Sequence, residues 1–276
     1  MARFSPTKSE NVIVNGHFGE FIQGRLGVTD PLVLVTVPSR FFKVQVTYTE
    51  GAFEVVQNGT SFYDRSVVSE LAKLAKARLN GRLKICLSMP EACGLGSSTA
   101  TRVGILRAIR PDISVNSIVS ICLKHERASD PIMYKSPERL LWAPREGKIV
   151  EKLPRLPKIS CIGGLFGSPL KTNPLDNNFP IISDLVDKWK RTEMTDKNFA
   201  EICAESSERT ISIRKLSDDP TRKITKEIGA LGFSIAHTGN VRNFIFPYRS
   251  IPSNAEKTLS SYGFRNVHRF SLGFNS

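Results

Sequence analysis

Between residues 90 and 100 the chain reads Pro90-Glu91-Ala92-Cys93-Gly94-Leu95-Gly96-Ser97-Ser98-Thr99-Ala100. An alternating run, Leu83–Met89, precedes it, and a helical run carrying Val103, Ile105, Leu106 and Ile109 follows. This strand, glycine loop and helix constrain the fold more than any other segment. Glycines let the backbone pass close to a ligand, and the first turn of the following helix offers unbonded N–H groups to an anion. Ser97, Ser98 and Thr99 add hydroxyls, so the loop has the chemistry of a polyphosphate cradle. It is not a Walker A loop, because no G-x-x-x-x-G-K-[ST] occurs, and Thr99 stands where G-x-G-x-x-G would need its third glycine. For a bare Gly/Ser turn, a capped helix after a flexible connection is the competing reading.

Around this unit the chain changes period several times. The first sixty residues predict short strands at Asn11–Val14, Pro31–Val37, Phe42–Tyr48 and Ala52–Val56, separated by Gly, Pro and Asp turns. Ser66–Leu79 has helical spacing and is stopped by Asn80-Gly81, and Val115–Lys124 predicts another helix. Residues 136–160 are rich in Pro and charge and predict the domain join, giving an N-terminal domain of 1–150 and a C-terminal domain of 151–276. Gly163–Gly167 reads as a turn entering the second domain. Helices near Ile181–Lys190, Phe199–Leu216, Ile224–Leu231 and Ala255–Tyr262 then mix with strands at Phe233–Ala236, Phe244–Phe246 and Val267–Leu272, an α+β pattern.

Composition narrows the class. With 40% hydrophobic and 24% charged residues, the 276-residue chain can bury a core. No apolar run approaches the ~20 residues of a membrane helix, and no apolar h-region follows Met1, so a cytoplasmic location is expected. Five cysteines with no C-x-x-C pair argue against a disulfide framework or a zinc cage. The formal charge of +13 is spread evenly over both halves with no basic tail. A diffuse field of this kind suits anionic small-molecule substrates. A nucleic-acid binder, the main alternative, more often concentrates its charge on one element.

The string P-x-x-x-G-L-G-S-S-x-A resembles the phosphate-binding motif of the GHMP kinase superfamily, which includes galactokinase, homoserine kinase, mevalonate kinase and phosphomevalonate kinase. Gly16-His17-Phe18-Gly19-Glu20-Phe21-Ile22-Gln23-Gly24 resembles its N-terminal motif, in the version found in the L-threonine kinases of propanediol-utilisation and cobalamin pathways. Ala236-His237-Thr238-Gly239-Asn240 resembles the third motif of those same kinases. The resemblance implies a two-domain fold, a ribosomal-protein-S5-domain-2-like N-terminal domain followed by a ferredoxin-like α/β sandwich. It implies ATP and Mg²⁺ as cofactors, with ATP phosphates on Pro90, Gly94, Leu95, Gly96, Ser97, Ser98 and Thr99 and on His237, Thr238 and Gly239. The metal would be held by Ser97 or Ser98 together with Glu126. Asp130 would be the general base or would position the acceptor. Gly19, Glu20 and Gln23 would meet that acceptor, a small-molecule alcohol of which L-threonine is the first choice. Glu20 could pair with an ammonium group or be a solvated turn residue.

Two positions depart from the pattern. Asn15 stands where many relatives have a proline-bearing entry, and Thr101 where threonine kinases carry an acidic residue. The second keeps open a nucleotide sensor without catalysis, and homoserine-, sugar- or mevalonate-like acceptors are the other kinase readings. The expected protein is a monomer or homodimer with no specific nucleic-acid partner and no membrane contact.

Overall fold

Apolar alternation along the first fifty residues produces two long bulged strands rather than several short ones. The computed structural model describes residues 9–58, 63–168, 175–191, 193–236 and 240–274. β1 (Ser9–Arg25) and β2 (Leu32–Glu50) pair antiparallel, with Val12 opposite Val46 and Val14 opposite Val44. The two runs predicted as separate strands on either side of Pro38 are one strand, because β2 continues through Pro38 opposite His17. The register slips between Asn15 and His17, between His17 and Glu20, and between Glu20 and Ile22. Such bulges re-aim side chains, and here they act on a stretch, Gly16 to Gly24, that is buried throughout.

β3 (Glu54–Gln57) and β4 (Gly81–Leu87) run parallel, joined by helix α1 (Arg65–Ala75). Asp64 caps α1 by accepting from the Ser66 and Val67 N–H groups, each at 2.9 Å. The helix ends where Lys76 turns into the left-handed region, short of the predicted Leu79. α2 (Ser97–Ile109) and α3 (Val115–Glu126) follow β4. The hairpin β5 (Leu140–Ala143) and β6 (Lys148–Lys152) completes a sheet ordered β3-β4-β2-β5-β6, with β1 also on β2. The Pro-rich 136–160 stretch is therefore not a bare connection: half of it is sheet.

A second, antiparallel sheet has the order β10-β7-β9-β8, built from β7 (Ile159–Leu165), β8 (Gly232–Ile235), β9 (Val241–Pro247) and β10 (Arg265–Leu272). With it come α4 (Ser183–Arg191), α5 (Asp196–Arg214), α6 (Thr221–Glu227) and α7 (Ala255–Ser261). Gly163 and Gly164, predicted as a turn, lie inside β7. The reason is space: a Cβ on Gly163 would collide with Asn243 and stand 3.0 Å from the Phe18 ring.

One apolar cluster runs through both sheets. Phe21 of β1 meets Phe199 of α5 edge-on at 4.9 Å, and Trp189 of α4 meets the other side of Phe199 at 5.1 Å. Asn243 of β9 donates to the Phe18 carbonyl at 2.9 Å. β1 is thus held on both sides, and its bulged centre faces the glycine loop. Among the described residues no helix is long and apolar enough to cross a membrane.

Candidate active site

Gly94 and Gly96 both adopt left-handed backbone, with φ of 71° and 69°. Gly96 stands at the N-cap of α2, and no side chain caps the first-turn N–H groups. Those of Ser97, Ser98 and Thr99 therefore point out of the helix end as anion donors. The loop is pinned to β1 by a bond from the His17 N–H to the Leu95 carbonyl at 3.0 Å. Gly96 packs so tightly on the His17 ring that a Cβ would collide with it. Pro90 is half-buried and Leu95 fully buried beneath the loop.

Asp130, which leads into a 3₁₀ turn at Pro131–Met133, closes the other side. Thr99 Oγ1 donates to Asp130 Oδ2 at 3.0 Å, and the Asp130 N–H donates back to Thr99 Oγ1 at 3.2 Å. His17 Nε2 lies 3.5 Å from Asp130 Oδ2, and His17 Nδ1 lies 3.9 Å from Glu20 Oε1. His17 is 2% exposed and Glu20 8%. Burial opposes ionisation of Asp130, but His17 and the Thr99 hydroxyl outweigh it and hold its carboxyl below the usual range. Burial likewise opposes the His17 imidazolium, and Asp130 and Glu20 together overcome it, so its pKa is raised. Burial pushes the Glu20 carboxyl up to about 7, with His17 pulling it down and Asp130 adding to the rise. The site thus sets an ionised carboxylate beside a carboxyl poised near neutrality.

A second group sits one turn along α2. Ser98 Oγ donates to Glu126 Oε1, so of the two candidate serines it is Ser98 whose hydroxyl meets the expected glutamate. The Arg102 guanidinium reaches the same two groups, donating to Ser98 Oγ and lying 2.7 Å from Glu126 Oε1. It also donates to the Tyr63 hydroxyl at 2.9 Å, which in turn donates to the Ser98 carbonyl at 3.0 Å. Neither Arg102 nor Tyr63 is marked by the sequence motifs. Arg102 had a signal, a charge four residues beyond Ser98 and so on the same face of α2. Tyr63, 35 residues away, had none.

Along β1, Gly19 has φ of +74°, and its face lies against Val241 and Ala236. Gln23 is buried, and its Oε1 has no hydrogen-bond partner. His237, Thr238 and Gly239 lie outside the described residues. Ala236, which precedes them, packs against Gly19 of the first motif.

No family model and no curated protein matches the sequence. Solved structures do match in shape. Methanococcus jannaschii mevalonate kinase has a TM-score of 0.66 at 13% identity, over 99% of this chain and 100% of that one. Streptococcus pneumoniae phosphomevalonate kinase gives 0.65 at 11% identity, over 96% and 99%. A homoserine kinase from Cytophaga hutchinsonii gives 0.63 at 14%, over 99% and 96%. The chain has the GHMP kinase fold.

In this GHMP fold the glycine loop, the bulged β1 and Asp130 form one site, drawn from three separate parts of the sequence. The donor chemistry for Mg²⁺ is only half met. Ser98 and Glu126 supply the hard oxygens that Mg²⁺ prefers. Both are already engaged by the Arg102 guanidinium, and among the described residues no cluster of three or more His, Cys, Asp or Glu could hold a metal. Of the two candidate serines, Ser98 is the one that bonds Glu126, and the Arg102 guanidinium lies on both.

Proposed function

We propose that the protein is an ATP-dependent kinase of a small amino alcohol, with L-threonine as the acceptor. The supporting observation is the position of Asp130: an ionised carboxylate bonded to a hydroxyl of the glycine loop itself. ATP would place its phosphates on the loop amides of Gly94–Thr99, where the helix N-terminus offsets their charge. Positioning and electrostatics dominate phosphoryl transfer, and the preorganised loop supplies both. As the acceptor oxygen bonds to the γ-phosphorus and the bond to the β–γ bridging oxygen breaks, releasing ADP, the Asp130 carboxylate would take the acceptor's proton, with Thr99 and His17 holding it in place.

Glu20 gives the reading its substrate class. A buried carboxyl poised near pH 7 has no cation of its own beyond His17, and a substrate ammonium would complete it. Gln23 Oε1, buried and unpaired, is a second acceptor awaiting a donor. An amino acid bearing a hydroxyl matches this balance of acceptors, whereas an acid without an ammonium group does not.

An ADP-release screen of hydroxy amino acids, sugar alcohols and mevalonate tests the proposal. L-Threonine is expected to turn over best, with serine poorer by at most a few hundredfold, since one methyl is worth about 1–3 kcal/mol. Turnover of a sugar or isoprenoid alcohol with none of threonine would overturn the acceptor assignment.

A further inference from the structure

We propose that Arg102 is a built-in cation that takes the place of a protein-held divalent ion at the phosphate site, acting through Ser98 and Glu126. The inference rests on reading the loop as an ATP site. The guanidinium is buried, its side chain 5% exposed against 32% for Glu126. Its donors are committed. Nη1 serves the Ser98 carbonyl at 3.0 Å, the Tyr63 hydroxyl and Ser98 Oγ; Nη2 serves Glu126 Oε1 and lies 2.9 Å from His125 Nδ1; Nε donates to the same His125 nitrogen at 3.2 Å. The guanidinium carbon also lies 5.3 Å from the Tyr63 ring centroid.

This arrangement engages Ser98 Oγ and Glu126 Oε1, two of the expected metal-ligand atoms, with a cation of the protein itself. A Mg²⁺ ion demands near-octahedral oxygens at about 2.0–2.1 Å. To reach Ser98 Oγ and Glu126 Oε1 it would have to displace a like charge whose side chain is buried. Removing one member of a buried ion pair strands the other, the costliest outcome for such a pair. Arg102 also cancels the charge of Glu126, which would otherwise repel the phosphates of ATP at the start of α2. The rigid fork suits this bridging role better than a lysine would. Any Mg²⁺ in the reaction then arrives on the nucleotide, held by its phosphates and water.

The test is calorimetric titration of the intact protein with ATP, in EDTA and in millimolar Mg²⁺. The wild type is expected to bind with affinities within about threefold of each other, because its site cation is fixed. Arg102→Met exposes Glu126, so its affinity in EDTA is expected to fall by about tenfold or more and to recover with Mg²⁺. Arg102→Lys keeps the charge without the fork, so its affinity in EDTA is expected to lie between those of Arg102→Met and the wild type, a partial rescue that a purely structural role would not give. Mn²⁺ alone, followed by water-proton relaxation, is expected to bind Arg102→Met and not the wild type. Circular dichroism checks that the variants fold, and the wild-type arms stand without them. A tenfold or greater loss of wild-type ATP affinity in EDTA, or Mn²⁺ binding to the wild type, would overturn the inference while leaving the kinase reading intact. No ATP binding under either condition would sink both.

Discussion

Asp130 and Glu20 are two carboxyls a few ångströms from one imidazole, and their surroundings push them in opposite directions. Asp130, held below its usual range, is ionised at neutral pH and can accept a proton only as the acceptor hydroxyl gives one up. Asp130→Asn is expected to lower kcat by roughly 10²–10⁴ with ATP affinity nearly intact. A fall below about tenfold with a raised acceptor KM would make it a binding residue instead. Glu20 is raised from 4.5 to about 7. A carboxyl raised in the folded state stabilises that state below its unfolded pKa, and this contribution is lost as pH rises through the folded value. Glu20 therefore costs stability between about pH 4.5 and 7, and Glu20→Gln is expected to melt higher than the wild type at pH 8, by up to about 3 kcal/mol. The same variant should bind the amino-acid acceptor more weakly. In the wild type, acceptor affinity should rise with pH toward 7 as Glu20 ionises, with proton release visible as a buffer-dependent binding enthalpy. A flat pH profile would detach Glu20 from the acceptor.

At the scale of elements, the strand-loop-helix unit is the part that sequence chemistry specifies best. Gly96 is required twice, by its left-handed φ and by the His17 ring against its Cα. Gly96→Ala is expected to weaken ATP binding by about tenfold or more, since left-handed backbone costs an alanine about 1–2 kcal/mol and tenfold corresponds to about 1.4. Unchanged affinity would place the nucleotide elsewhere. The first helices were legible from their spacing, Ser66–Leu79 and Val115–Lys124, and the structure adds their caps, Asp64 on α1 and Ser114 on α3. What misled was local chemistry that tertiary contacts overrule. Pro38 looked like a break, yet β2 passes through it at the point where the partner strand bulges. Gly163 and Gly164 looked like a turn, yet their lack of side chains lets β7 lie against Asn243, Phe18 and Phe264. In the site, the motifs pointed to the loop, Asp130, Glu126 and Glu20. The contacts of Arg102 with Tyr63 and His125 join residues 39 and 23 positions apart, and no short-range pattern records them.

For the molecule as a whole, the two sheets share one apolar cluster, and β1 belongs to both surroundings. That is why a single bulged strand can set His17 against the glycine loop and, in the proposed reading, Glu20 toward the acceptor. The +13 charge is spread over both halves of the sequence without a localised basic element. Any nucleic-acid binding is expected to be weak, indifferent to sequence and lost steeply with salt, as counterion release requires. Gel-shift titrations at two salt concentrations check this, and salt-resistant nanomolar binding to one RNA or DNA would reopen the alternative class. The central claim, that the loop, Asp130 and the Glu20 pocket together phosphorylate an amino alcohol, is tested most directly by ³¹P NMR of the protein with ATP and L-threonine. The expected spectrum shows a phosphomonoester signal growing in step with ADP in the wild type and nearly absent in Asp130→Asn. ADP and inorganic phosphate without any phosphomonoester, or equal product from Asp130→Asn, would contradict it.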